Sequence, residues 1–118
     1  MARDPLAFVA DAPLFVVPHV LERLRAYRDG LRPADLPADL PGERLAAVLD
    51  DLATRLLAGV EAHPTRFWVM KQFQQSLETV KDDAPAAREH FRGELERLMA
   101  ILGIERSDWL LEHYLGRT

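Results

Sequence analysis

Along most of the chain the apolar residues recur at steps of three and four, which is the pattern of a helix with one buried face and not the alternation of a half-buried strand. Val17, Val20, Leu21, Leu24, Tyr27 and Leu31 make one stripe, predicting a helix over about 18–29. Pro18 fits there only in the first turn, and Gly30 marks the far end. Leu45, Val48, Leu49, Leu52, Leu56 and Val60 predict a second helix over about 43–62. Gly59 falls on the same face, where a glycine lets a neighbouring backbone come close at about 1 kcal/mol of helix propensity. His63-Pro64 ends this helix, because the residue before proline is pushed out of the α region, and Pro64 or Thr65 opens the next.

The third helix, about 65–81, sets Val69, Met70, Phe73, Leu77 and Val80 along one side. Asp82 and Asp83 then give a turn and an N-cap for a fourth helix over about 84–102, with Pro85 in its first turn and Phe91, Leu95, Leu98, Met99 and Leu102 as its stripe. Gly103-Ile104 is a C-terminal stop, glycine taking the left-handed position and isoleucine folding back. Ser107 caps a short fifth helix with Leu110, Leu111, Tyr114 and Leu115 facing inward and Gly116 ending it.

Helices of this length joined by short connections favour antiparallel neighbours. The expected fold is therefore all-α, an antiparallel four-helix bundle-like domain spanning 1–118, closed by the short C-terminal fifth helix. In the N-terminal segment, 1–17, Leu6, Phe8, Val9, Leu14 and Phe15 are expected to lie across the side of the bundle. The segment 32–42, with Pro33, Pro37 and Pro41 at four-residue spacing, reads as an irregular loop inside one domain.

Length agrees, since 118 residues suit one core that buries roughly two-thirds of the unfolded surface. Fifteen basic against nineteen acidic side chains give a net charge of −4, which opposes the attraction to phosphate behind most nucleic-acid binding. The chain has no cysteine, so disulfides and thiolate metal sites are excluded. Asp4 and Asp11 interrupt the apolar stretch 5–17, and the run 12–17 is too short to span a membrane and poor as the core of a signal peptide. No membrane association is expected, and a cytoplasmic location is the simplest expectation.

Catalytic chemistry finds little support in the spacings. There is no Walker loop, no Gly-x-Gly-x-x-Gly and no His-Glu-x-x-His. His90 and Glu94 stand one helical turn apart with Glu89 beside them, and they define the alternative reading of a metal-assisted or acid–base enzyme; a solvated surface pair is the commoner explanation. Asp50 and Asp51 diverge by about 100° on a helix, so they do not form a working carboxylate pair. His19, His63, His113, Ser76 and Ser107 take structural roles, with neither serine on the strand-to-helix elbow of a hydrolase nucleophile. No catalytic residue, metal site or cofactor is expected.

Trp68 is the anomaly. Projected at about 100° per residue, it lies nearly opposite the stripe of the third helix, among Gln72, Gln75 and Thr79 with Lys71 at the border. An aromatic anchor with a polar rim is the composition of a protein-binding surface, and coverage by the N-terminal segment is the competing explanation. Trp109, beside the inward leucines of the fifth helix, belongs to the core or its edge. Arg23, Arg25, Arg28 and Arg32 make the one basic concentration and read as a solvated face diluted by Glu22 and Asp29. The acidic residues Asp50, Asp51, Glu61, Glu78, Asp82 and Asp83 suit steering of a basic protein.

The second half of the chain, Pro64-Thr-Arg-Phe-Trp-Val-Met-Lys-Gln-Phe-Gln-Gln-Ser-Leu-Glu78 and Ala87-Arg-Glu-His-Phe91 through Met99-Ala-Ile-Leu-Gly-Ile104, with Ser107 to Gly116, resembles a small all-helical bacterial family of unknown function. Proteins of this general kind are often immunity proteins, which neutralise a cognate polymorphic toxin by direct binding. The resemblance thus implies a toxin inhibitor acting as monomer or homodimer, and it carries no catalytic residue with it. A homodimeric scaffold that buries Trp68 against its own copy is a further alternative.

Overall fold

Each apolar stripe becomes a helix. In the computed structural model, which describes residues 5–9, 11–32, 36, 40–107 and 110–116, the elements are a 3₁₀ turn at Pro5–Phe8 and helices α1 (Pro18–Asp29), α2 (Gly42–Gly59), α3 (Arg66–Val80), α4 (Pro85–Leu102) and α5 (Leu110–Leu115). The fold is an all-α helical bundle with a short C-terminal helix.

The chain chemistry at the helix ends explains most of the boundaries. Thr65, in extended conformation, caps α3 by accepting a hydrogen bond from the Trp68 N–H at 3.2 Å. Gly103 takes the left-handed conformation at φ 75° beyond α4, and the Ile104 N–H returns to the Met99 carbonyl at 2.8 Å. The Ser107 hydroxyl accepts from the Leu111 N–H at 3.3 Å. Two expected caps differ. Gly30 ends α1 in a right-handed conformation, and α4 has Ala84 at its N-cap with no side-chain hydrogen bond. Asp83 is withdrawn from capping because its carboxylate receives Arg44 of α2, whose other terminal nitrogen donates to the Thr79 carbonyl at 2.8 Å. A charge-assisted bond to a guanidinium across helices wins over a local cap.

Around the core α1 packs against both α2 and α4, α2 against α3, and α5 against both α3 and α4. Leu24, Leu52, Phe73, Leu77, Phe91 and Leu95 are wholly buried between them. At about 1.5–3 kcal/mol for each such side chain, this layer is the main source of stability. Leu36 and Leu40 pack against its edge, while most of the proline-rich loop, including Pro33 and Pro37, lies outside the described residues. No described helix is long and apolar enough to cross a membrane.

In the N-terminal segment Leu6 and Val9 are buried, and the 3₁₀ turn contacts α3 and α5. Further along it becomes strand-like. The Leu14 N–H donates to the Pro64 carbonyl at 2.7 Å and the Arg66 N–H to the Ala12 carbonyl at 2.8 Å, placing Pro13 opposite Thr65 in an isolated antiparallel bridge. That pairing sets a period of two: Ala12, Leu14 and Val16 are half-buried, whereas Pro13, Phe15 and Val17 are exposed. Phe15, expected on the bundle, is 88% exposed. Its phase is fixed by the bridge, which turns Leu14 inward and so sends its neighbour out. The Phe8 side chain lies outside the described residues.

Candidate functional site

The residues predicted to form a docking face stand along α3 where it meets α2, and the seam between the two helices is organised by Arg55. From α2 its guanidinium reaches the Gln72 carbonyl at 3.1 Å, Gln72 Oε1 at 3.0 Å, Gln75 Oε1 at 3.2 Å and the Ser76 hydroxyl at 2.8 Å. Its Nε donates to Asp51 Oδ2 at 3.0 Å, one turn back on its own helix. Five donors in a fixed planar fork suit arginine to this seam, and lysine could not reproduce it. Gln72 and Ser76 are buried at 9% and 2% exposure; their side-chain oxygens take their donor from Arg55, while Gln72 Nε2 donates to the Trp68 carbonyl at 3.5 Å.

The predicted face is therefore divided. Lys71, Gln75 and Thr79 are exposed, Trp68 is half-buried, and Gln72 is turned into the seam. Gln72 leaves the outer face because the half-buried Arg55 guanidinium, withdrawn from much of its water, takes its acceptors from α3. Trp68 is held by neighbours on α2 and the following turn. Its ring stacks on His63, with centroids 5.6 Å apart and planes at 22°, and its benzo edge lies over Gly59 so closely that a Cβ there would come within 2.4 Å of Trp68 Cζ2. Gly59 thus admits a close approach as its position predicted, although what approaches is an indole and not a backbone. Lys71 extends over Phe67, its Nζ 6.0 Å from the ring centroid, at the outer limit of a cation–π contact. Between α2 and α3 a groove of about 370 Å³ is lined by Ala47, Val48, Asp51, Arg55, Gln75, Ser76 and Thr79.

Of the three residues named for the metal or acid–base alternative, only His90 and Glu94 line a shared cavity. Glu94 accepts from the Tyr27 hydroxyl at 3.0 Å and from Arg97 at 3.1 and 3.2 Å, and Glu89 turns toward Arg92, 3.8 Å from its Nε. His90 and Glu94 share a cavity of about 190 Å³ with Tyr27, Arg97 and the end of α1, but Glu89 does not line it. Among the described residues no group of three His, Cys, Asp or Glu side chains is placed to hold a metal ion. Burial, and then the Glu94 carboxylate beside it, push the Tyr27 phenol far above its ordinary range, so this hydroxyl is a fixed donor.

The remaining candidates are spent locally. Arg32 donates to the Asp29 and Leu31 carbonyls and Arg28 sits 3.6 Å from Asp29, which leaves Arg23 and Arg25 as the exposed bases of α1. Trp109 lies outside the described residues. A cavity of about 580 Å³ at the junction of α4 and α5 carries both signs of charge from Arg92, Arg106, Glu96, Glu105 and Glu112. Arg55 and Ser76 were missed as members of the seam. A signal for them exists: Arg55 borders the Leu52 and Leu56 stripe, while Gln72 and Ser76 form an i,i+4 polar pair flanking Val69, Phe73 and Leu77. Comparison of the chain with protein-family models, with curated proteins and with solved structures gives no match.

Proposed function

We propose that this chain is a protein-binding module, an immunity-type inhibitor that neutralises a cognate bacterial toxin in the cytoplasm by direct binding. The observation that supports this reading is the outer edge of α3. There the exposed Lys71, Gln75 and Thr79 stand beside a polar groove whose Arg55 and Asp51 are held by interhelical and i,i+4 hydrogen bonds, next to the half-buried aromatics Phe67 and Trp68. Polar groups fixed before the encounter lose little freedom on binding, which favours affinity and specificity. The resemblance of the second half of the chain to immunity proteins adds a class of partner. Gln72 is dropped from the contact set, and Trp68 contributes only the part of its ring left free by Gly59 and His63.

The test is co-purification of the tagged chain with toxin-like proteins encoded nearby, followed by inhibition of the toxin's activity. Thr79→Arg and Gln75→Arg place bulk on the groove at exposed positions. Each is expected to weaken the complex at least tenfold while leaving the helical circular dichroism spectrum unchanged. A stoichiometric complex indifferent to both substitutions removes this face, and failure of any toxin to bind removes the inhibitor reading. Trp68→Ala is the poorer probe because it also unpacks Gly59.

A further inference from the structure

We infer that the strand-like segment 13–17 is a pairing edge for a second copy of this chain, joined antiparallel about a two-fold axis at Phe15. The antiparallel bridge to Thr65 uses the backbone of Ala12 and Leu14, and in an extended chain successive residues direct their N–H and C=O to opposite sides. The groups of Pro13, Phe15 and Val17 therefore face outward. The Phe15 N–H and C=O, the Pro13 C=O and the Val17 N–H find no hydrogen-bond partner among the described residues. Val17 is extended, at φ −95° and ψ 163°, so the edge runs unbroken to the start of α1. Its side chains are apolar and exposed, Phe15 at 88% and Val17 at 50%.

A second copy is the occupant because the edge is complementary to itself in one register. With Phe15 opposite Phe15 of the other copy, each Phe15 N–H meets a Phe15 carbonyl, and Pro13 lies opposite Val17. Pro13 has no N–H to give, and the Val17 carbonyl that would have received it already accepts from the Val20 N–H at 2.9 Å. The Val17 N–H, which is free, meets the free Pro13 carbonyl. Every outward donor thus finds an acceptor. Sliding the pair by two residues in one direction leaves the Phe15 carbonyl facing the missing donor of Pro13. Sliding it the other way gives the Phe15 N–H only a second, shared bond to the Val17 carbonyl, which already accepts from Val20, and leaves the free Pro13 carbonyl without a donor. A proline on an edge strand ordinarily discourages pairing; here it selects the register. The outward side chains then pair as Phe15 with Phe15 and Pro13 with Val17, on an edge that uses neither Lys71, Gln75 nor Thr79, so its failure leaves the inhibitor reading untouched.

The chain has no cysteine, which allows the register to be read by disulfide capture. Residues opposite one another in a hydrogen-bonded antiparallel pair have Cα atoms about 5.5 Å apart, within disulfide reach. A mixture of Pro13→Cys and Val17→Cys chains, incubated with oxidised glutathione, is expected to form the mixed dimer at least tenfold faster than either variant forms its own. Adding Phe15→Asp to both chains sets like charges face to face and is expected to return the rate to that of a Glu61→Cys and Glu78→Cys mixture. Circular dichroism checks that every variant is folded. Equal rates for mixed and self dimers, or capture that survives Phe15→Asp, would overturn the pairing.

Discussion

Replacing Gly59 by alanine separates two opposing effects that the structure makes measurable. Gly59 is the last residue of α2, so alanine there gains at most about 1 kcal/mol of helix propensity. Against this, the new Cβ would stand 2.4 Å from Trp68 Cζ2 and 2.7 Å from Cη2, where carbon atoms rest at about 3.5–4.0 Å. The indole must retreat by about 1 Å, and its partners are the stacked His63 and the core behind α3. Overpacking of this kind costs about 1–3 kcal/mol, so Gly59→Ala should destabilise the protein by up to about 3 kcal/mol, less whatever part of the propensity gain is realised. In a Trp68→Leu background the obstruction is gone, and the same change should stabilise by up to about 1 kcal/mol. Urea unfolding of the four chains gives the coupling directly, with the slope of each transition checking that unfolding remains two-state. If Gly59→Ala raises the midpoint equally in both backgrounds, the indole does not rest on Gly59 and the packing described for this face is wrong.

Other outcomes follow from single contacts. Arg55→Leu should cost about 2–4 kcal/mol in urea unfolding, because the buried Gln72 and Ser76 lose their donor, and Arg55→Lys should recover less than half of it; a change below the error of the method would refute the seam. The Tyr27 phenol is raised in the folded protein, so the folded state keeps a proton that the unfolded state gives up above pH about 10. The stability it supplies is whole below that pH and falls at up to about 1.4 kcal/mol per unit above it, a dependence that Tyr27→Phe should remove from alkaline unfolding curves. Gly103→Ala, at φ 75°, should cost about 1–2 kcal/mol and shorten α4 protection in hydrogen exchange, whereas Gly93→Ala, with open space around it, should stabilise by up to about 1 kcal/mol.

Helix positions were legible in the sequence because the stripes are long and the stops are chemical: the Gly103-Ile104 and Thr65 signals lie where the backbone turns. The fate of Asp83 was not, since its competitor, Arg44, stands 39 residues away and no local pattern weighs one against the other. Trp68 was singled out from its angle on α3. The same projection misplaced Gln72, because a helix drawn alone cannot show that an arginine on the next helix will claim one of its polar residues. Phe15 failed for a related reason. Its neighbours look like an apolar patch to be buried as a unit, but two backbone hydrogen bonds to Pro64 and Arg66 impose a strand's alternation on a segment whose residues, apolar throughout from Ala12 to Val17, do not alternate.

The contacts of α5 with α3 and α4, and of the Pro5–Phe8 turn with α3 and α5, bring the opposite ends of the described chain onto one another. The two ends therefore act as a single clasp: loosening either uncovers apolar surface on the other, and amide protons in both should exchange in one cooperative step instead of fraying independently. Proximity of this kind also suits rearrangement of chain order. A circular permutant joining the two ends through a short flexible linker and opened in the proline-rich loop would keep every helix contact named above, while changing which helices leave the ribosome together.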